Sequence, residues 1–282
     1  MAAATSVVAG LSLAGPTEVA LASTGTSISA DSSVVADPGT VVNPFAGAVI
    51  TGTGTMEGVT IRVANGFNPS IDTMAMAGSH PGITATYAST TGLLRLRGTA
   101  SVADYQAALR DVTYTQSSPT TGTRTFIVVA GTAIYLPATG NLYEYVATGS
   151  AITWTDARAA ALARTFGPFT GHLANLSSQE ENDVALAELT GNTWIGTSDE
   201  AIEGEWRWMD GPEAGQLFWL GAGSPSGGSV QGGNYNNWQS GEPNNAGGEH
   251  YAHMFSGSGD WNDYPNSLSV TGYLTEYEVD DR

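Results

Sequence analysis

Between positions 242 and 263 the chain reads Glu242-Pro243-Asn244-Asn245, then Glu249, then Trp261-Asn262-Asp263. These segments supply three carboxylates and several side-chain amides, and the chain has no lysine to neutralise them: all 9 of its basic residues are arginine. A donor set of oxygens alone, some charged and some neutral, describes a Ca²⁺ site; zinc favours nitrogen and sulfur. A calcium ion held in this way can bind a further ligand as well. Downstream of Glu249, the pair His250 and His253 superficially suggests a zinc motif. Metalloprotease histidines, however, need i,i+4 spacing on a helix. An i,i+3 pair in a strand puts its rings on opposite faces.

The elements that must position these groups are legible from about residue 138 onward. Tyr143-Glu144-Tyr145-Val146 reads as a strand. Trp154 to about Phe166 is an alanine-rich helix with Thr153 or Thr155 at its N-cap. Ser178 and Glu181 stand at capping-box spacing and open a second helix, whose apolar side comprises Val184, Leu186 and Leu189. Thr193-Trp194-Ile195-Gly196 and Gly204-Glu205-Trp206-Arg207-Trp208 follow. The Gly/Ser/Asn-rich stretch from 211 to about 248 reads as one long loop, a length that in a compact domain goes with function or disorder. Phe218, Trp219, Tyr235 and Trp238 argue for function.

Upstream, from 38 to 137, short strands recur with the spacing of a β-sandwich. Residues 59–63, 83–87, 94–97 and 124–129 alternate, and Val102, Tyr105 and Leu109 share one face of a short helix. Gly98-Thr99-Ala100-Ser101 leading into Ala103-Asp104-Tyr105-Gln106 and Val112-Thr113-Tyr114 resembles the cadherin-like repeats of giant bacterial adhesins of the RTX type. That resemblance implies a spacer. Residues 1–37, with turn signals at Gly15-Pro16 and Asp37-Pro38-Gly39, read as a strand segment or a linker, and residues 138–282 form the third section.

This third section resembles a C-type lectin-like domain. The matching features come in that family's order: a strand, two helices, Trp194-Ile195-Gly196, the Trp206/Trp208 strand, Glu242-Pro243-Asn244, Trp261-Asn262-Asp263, and the terminal strand 272–277. The expected fold is therefore an all-β cadherin-like sandwich followed by an α+β C-type lectin-like fold with two helices, small antiparallel sheets and a long calcium-binding loop. The resemblance implies a principal Ca²⁺ held by Glu242, Asn244, Glu249, Asn262 and Asp263. Calcium takes about six to eight oxygens, so five side chains and the Asp263 carbonyl leave positions that vicinal sugar hydroxyls can fill. It further implies a cis Glu242–Pro243 bond and ligands of mannose, N-acetylglucosamine or fucose type.

An auxiliary calcium site at Asp199, Glu203 and Asn245 matches the family's spacing, although Asn245 and His250 stand where other members have acids. The alternative there is a solvated acidic loop. Tyr235 and His250 are candidates for a wall around the sugar, with His253 beside them, while Trp238 reads as core. The family's disulfides are absent, for the chain has no cysteine. Ala161 and Thr275 stand near the positions of one such pair.

Composition narrows the function classes. With 27 acidic and 9 basic residues the net charge is −18, a field unsuited to nucleic acid or anionic membrane, since phosphate binding needs Lys or Arg clusters. Cysteine catalysis is excluded. Carboxylates committed to calcium cannot supply the protonated acid of a glycosidase, so no enzyme is expected. The expectation is a calcium-dependent, cell-surface-glycan-binding module of a longer adhesin, extracellular on a bacterial surface, with no membrane insertion. The competing reading is a protein- or peptide-binding domain in which calcium is only structural.

Overall fold

The alternation at 59–63 becomes the long strand β1 (Thr55–Asn65), whose Val59, Ile61 and Val63 are buried. In the computed structural model, which describes residues 11–14, 21–22, 26–29, 33–36, 39–118, 124–222, 227–266 and 270–279, the chain divides into two compact units, Met1–Tyr135 and Leu136–Arg282. Of the N-terminal segment, short strands at Leu11–Ala14, Leu21–Ala22, Ser27–Ser29 and Ser33–Ala36 are described. The turn signals Gly15-Pro16 and Asp37-Pro38 lie outside the described residues.

After β1 the first unit continues through β2 (Asp72–Met76), β3 (Thr84–Ala88), β4 (Leu93–Ser101), α1 (Val102–Arg110), β5 (Val112–Gln116) and β6 (Arg124–Ala130). β1 lies between β4 and β6, antiparallel to both, and β3 extends the sheet beyond β4. β2 and β5 pair in a second sheet. The inward residues of both sheets meet in one core, where Phe126 packs edge-on against Phe45 and Tyr114. A bulge breaks the β4–β1 register between Arg97 and Ala100. At this bulge Gly98 has φ +129°, and a Cβ there would run into the Gly82 carbonyl, so only glycine fits. α1 starts on a capping box in which Ser101 and Asp104 each accept the other's backbone N–H, tying down its first turn. Across the two sheets, Arg124 of β6 meets Asp72 of β2 through Nε–Oδ2 at 2.8 Å and Nη2–Oδ1 at 3.2 Å, and the Tyr114 hydroxyl donates to Asp72 at 2.7 Å.

The second unit runs β7 (Asn141–Ile152), α2 (Trp154–Ala163), β8 (Phe169–Leu173), α3 (Gln179–Leu186), β9 (Thr193–Ser198), β10 (Glu205–Trp208), β11 (Leu217–Leu220), β12 (Tyr251–Met254), β13 (Trp261–Tyr264) and β14 (Val270–Tyr277). β7 and β14 pair antiparallel from Leu142↔Tyr277 onward, bringing the two ends of the unit together. β14 continues to β9 and then β10 and β11, while β12 pairs with β9 and carries β13. Trp154 and Trp194 cross-tie α2 to this framework: the Trp154 indole donates to the Ile195 carbonyl at 2.8 Å, and that of Trp194 to Ile152 at 2.7 Å.

Three local readings need correction. α2 stops at Ala163 rather than near Phe166, because Arg164 turns extended and Thr165–Phe166 fold back on β8. Arg164 then donates to Glu144 of β7 at 2.7 Å, and the Tyr277 hydroxyl of β14 donates to the same carboxylate at 2.7 Å. This polar tie holds the helix end to the terminal strands in a unit without a crosslink. α3 is capped by Ser178, whose hydroxyl accepts the Glu181 N–H at 3.2 Å, but the Glu181 carboxylate reaches the N–H of Ser177 instead of completing the box with Ser178. The stretch 211–248 is not one loop, since it contains β11 and a short strand Ser229–Val230. Phe218 stacks on Trp208 at 4.5 Å, and Trp206 faces Trp219 across the strands, enough apolar contact to hold a ladder in Gly-rich sequence.

Candidate functional site

The β12–β13 pair sets His253 opposite Asn262 and Ala252 opposite Asp263. Because strand side chains alternate, Asn262 and Asp263 leave by opposite faces. Asp263 is 1% exposed. Its Oδ1 accepts the Asn244 N–H at 3.1 Å and its Oδ2 the Asn245 N–H at 2.7 Å, clamping the loop that begins at Glu242. That loop has a cis Glu242–Pro243 bond and a left-handed Asn245 at φ 51°. The Asn245 side-chain oxygen accepts the Glu249 N–H at 2.8 Å, and Glu249 accepts the Ala246 N–H at 3.0 Å. Main-chain donors thus hold Asp263 and Glu249, the Glu242 carboxyl lies against that of Asp263 with the Glu249 charge nearby, and no basic side chain is paired to the three among the described residues.

The electrostatics follow. Burial, the adjoining Asp263 carboxyl and the Glu249 charge push the Glu242 carboxyl up to about 7. Burial, then Asp263, also raises Glu249. Glu242 Oε2 is buried and has no hydrogen-bond partner. An unpartnered carboxylate oxygen among other carboxylates is costly unless a cation meets it. The Asn262 amide nitrogen donates to the Asp263 carbonyl oxygen at 2.5 Å. The donors are all oxygen-bearing groups, and they fit Ca²⁺.

The other expected residues fall elsewhere. Asp199 and Glu203 do come together, but with His250 rather than Asn245: its Nδ1 lies 3.1 Å from Asp199 and 3.5 Å from Glu203. Asp199, whose carboxyl burial raises, also accepts the Gly204 N–H at 2.8 Å. His250 therefore bridges two acids. Tyr235 donates to Gln179 of α3 at 3.1 Å and packs edge-on to Trp261 at 5.7 Å, so its contacts lie with α3 and the aromatic cluster. Trp238 belongs to that same cluster, 4.7 Å from Trp206.

The lectin C-type domain model matches residues 151–271, the span that contains this loop and all five of its oxygen-bearing side chains. The chain is also 31% identical over 134 residues to an alpha-N-acetylgalactosamine-specific lectin of Patiria pectinifera, covering 44% of this chain and 67% of that protein. The chain belongs to the C-type lectin family. Halomucin of Haloquadratum walsbyi is 40% identical over 233 residues, 79% of this chain but 2% of halomucin. That alignment is longer than the whole C-type lectin unit, so it reaches into the preceding unit. The low affinity immunoglobulin epsilon Fc receptor of Mus musculus is 35% identical over 94 residues, 23% of its length. The chain thus spans only a small part of these two relatives. Among solved structures, the cow CD23 C-type carbohydrate-recognition domain, in the presence of a GlcNAc2Man3 oligosaccharide, is 31% identical; the match covers 53% of this chain and 95% of that one, at a TM-score of 0.39. No helix among the described residues is long and apolar enough to cross a membrane.

Proposed function

We propose that the C-type lectin unit binds carbohydrate through one calcium ion held by Glu242, Asn244, Glu249, Asn262 and Asp263. The observation that carries this reading is the buried, unpartnered Oε2 of Glu242, beside carboxylates with no basic side chain paired to them among the described residues. When bound, calcium supplies open coordination positions for a pair of neighbouring sugar hydroxyls. The protein's part is to orient them: a Glu242 carboxylate only accepts hydroxyl protons, whereas the Asn244 amide also donates to hydroxyl oxygens. The Glu-then-Asn order supports sugars of mannose, fucose or N-acetylglucosamine type.

The Asp199–Glu203–His250 cluster is left outside this site, because a ring nitrogen already lies between its two acids. We place the module in a longer extracellular, surface-attached adhesin of the RTX type, with the preceding β-rich unit as a cadherin-like spacer. The long alignment with halomucin supports an assembly in which both units recur together. Calorimetry with mannose, fucose and galactose, in calcium and then in EDTA, tests the reading. Calcium binding with no sugar heat would assign the ion a structural role and the domain a protein ligand.

A further inference from the structure

The antiparallel register that pairs Ser198 of β9 with Tyr251 of β12 makes Asp199 and His250 neighbours one step further along. The Asp199 N–H donates to the His250 carbonyl at 3.2 Å. Turn hydrogen bonds from the Ile202 N–H to Asp199 and from the Glu205 N–H to Ile202 fold Glu203 back over the same point. Three donor atoms meet there: His250 Nδ1 lies 3.1 Å from Asp199 Oδ1 and 3.5 Å from Glu203 Oε2. The Asp199 side chain is 1% exposed, and its other oxygen is fixed by the Gly204 N–H at 2.8 Å, a donor outside the group. His250 and Glu203, 35% and 54% exposed, leave the outer side open to solvent.

Three lone pairs cannot face one another, so the ring nitrogen has to carry a proton or meet a cation. Calcium, which the family's spacing implies here, does not fit. It takes about six to eight oxygens, yet the third group is an imidazole, and the Asn245 side-chain oxygen is engaged with the Glu249 N–H. One imidazole and two carboxylates suit zinc, whose bonds to nitrogen and oxygen run to about 2.0–2.2 Å and give tetrahedral edges of about 3.3–3.6 Å. The two donor separations come within a few tenths of an ångström of those edges. A ligating carboxylate is normally oriented by a hydrogen bond of its own, as Gly204 does for Asp199. His172, Glu276 and Glu278 also bring three such donors together. There the Glu276 carboxylate is already taken up by the Asn141 amide, the Tyr143 hydroxyl and the Asn175 N–H.

We infer that Asp199, Glu203 and His250 form a zinc site that fastens the turn after β9 to the start of β12, with a fourth position open to water. It shares no side chain with the proposed calcium set and does not depend on the carbohydrate reading. In a unit without cysteine, the ion acts as a removable crosslink.

Titration of zinc into the full chain, held in saturating calcium, tests this by calorimetry. One zinc ion per chain is expected to bind and to raise the unfolding midpoint. His250→Asn and Glu203→Gln, both at solvent-open positions, should each weaken zinc by more than the roughly 10–100-fold that loss of a residue supporting a ligand costs. Glu278→Gln should leave zinc binding unchanged. Absence of zinc binding, zinc affinity that is the same in His250→Asn, or a loss confined to Glu278→Gln overturns the site; the first result means that the ring nitrogen holds only a proton. None of these outcomes bears on calcium at Glu242, which is titrated separately.

Discussion

The Asp263 carboxylate on β13 accepts the backbone N–H of Asn245 at 2.7 Å, so a residue proposed to hold calcium also fastens the loop that carries the other ligands. Its second oxygen takes the Asn244 N–H. Asp263→Asn keeps the shape but has one accepting oxygen in place of two, leaving a loop N–H without a partner. An unmet buried donor costs about 1–3 kcal/mol. The expected outcome is loss of detectable sugar binding together with a destabilisation of that order, read by calorimetry and denaturant unfolding. Sugar binding that survives in Asp263→Ala would remove this residue from the site.

Calcium should stabilise the fold by mass action. At a concentration 100 times its dissociation constant, a ligand that binds only the folded state adds about 2.7 kcal/mol. Scanning calorimetry should therefore show a transition that moves up with calcium and falls back in EDTA. Magnesium should have little effect, since it demands near-octahedral geometry at about 2.0–2.1 Å. Superimposable scans in calcium and EDTA would contradict the proposed ligand set.

A separate buried network predicts a pH dependence away from that loop. Glu276 is pushed up to about 8, chiefly by burial, with the Glu278 charge adding and the His172 charge opposing. His172 stands at about 9: burial lowers it, but the Glu278 hydrogen bond and the Glu276 charge outweigh burial. Between 4.5 and about 8 the folded chain keeps a proton on Glu276 that the unfolded chain has released, and between 6.5 and about 9 the same holds for His172. In both windows the folded state binds more protons, so stability falls as pH rises. Unfolding midpoints measured from pH 5 to 9 should decline, and Glu276→Gln should flatten the part below about 8. An equal slope in that variant would place the dependence on other groups.

In the first unit, the ion pair between Asp72 and Arg124 is nearly closed to solvent, with side-chain exposures of 0% and 6%. Removing one partner leaves a buried charge without its counter-ion, a loss of about 3–5 kcal/mol. Arg124→Met should destabilise this unit by that amount in urea, and the double variant Asp72→Leu, Arg124→Met should recover much of it. If the single variant unfolds at the wild-type midpoint, Arg124 is not the counter-charge that matters.

The proposed calcium loop is legible in sequence because its chemistry lies in residue types close together: three acids and their amides fall within one short stretch. Strand alternation around Val59–Val63 and the cap at Ser178 are legible for the same local reason. What escapes is set by distant pairing. His250 borders Glu249 in sequence, yet the fold turns its ring to Asp199, 51 positions away. Tyr235 is drawn to α3 by Gln179, 56 positions earlier. The β11 ladder is hidden in Gly-rich sequence because it depends on Phe218 finding Trp208.

The central claim is that sugar binds only through the ion held at Glu242, Asn244, Glu249, Asn262 and Asp263. Its most direct test is titration of methyl α-mannoside and methyl α-galactoside into the full chain, in calcium and again after EDTA. The predicted result is saturable, weak binding of the mannoside in calcium, abolished by EDTA and much weaker for the galactoside. Mannoside binding that persists unchanged in EDTA, or no sugar binding while calcium itself binds, would contradict it.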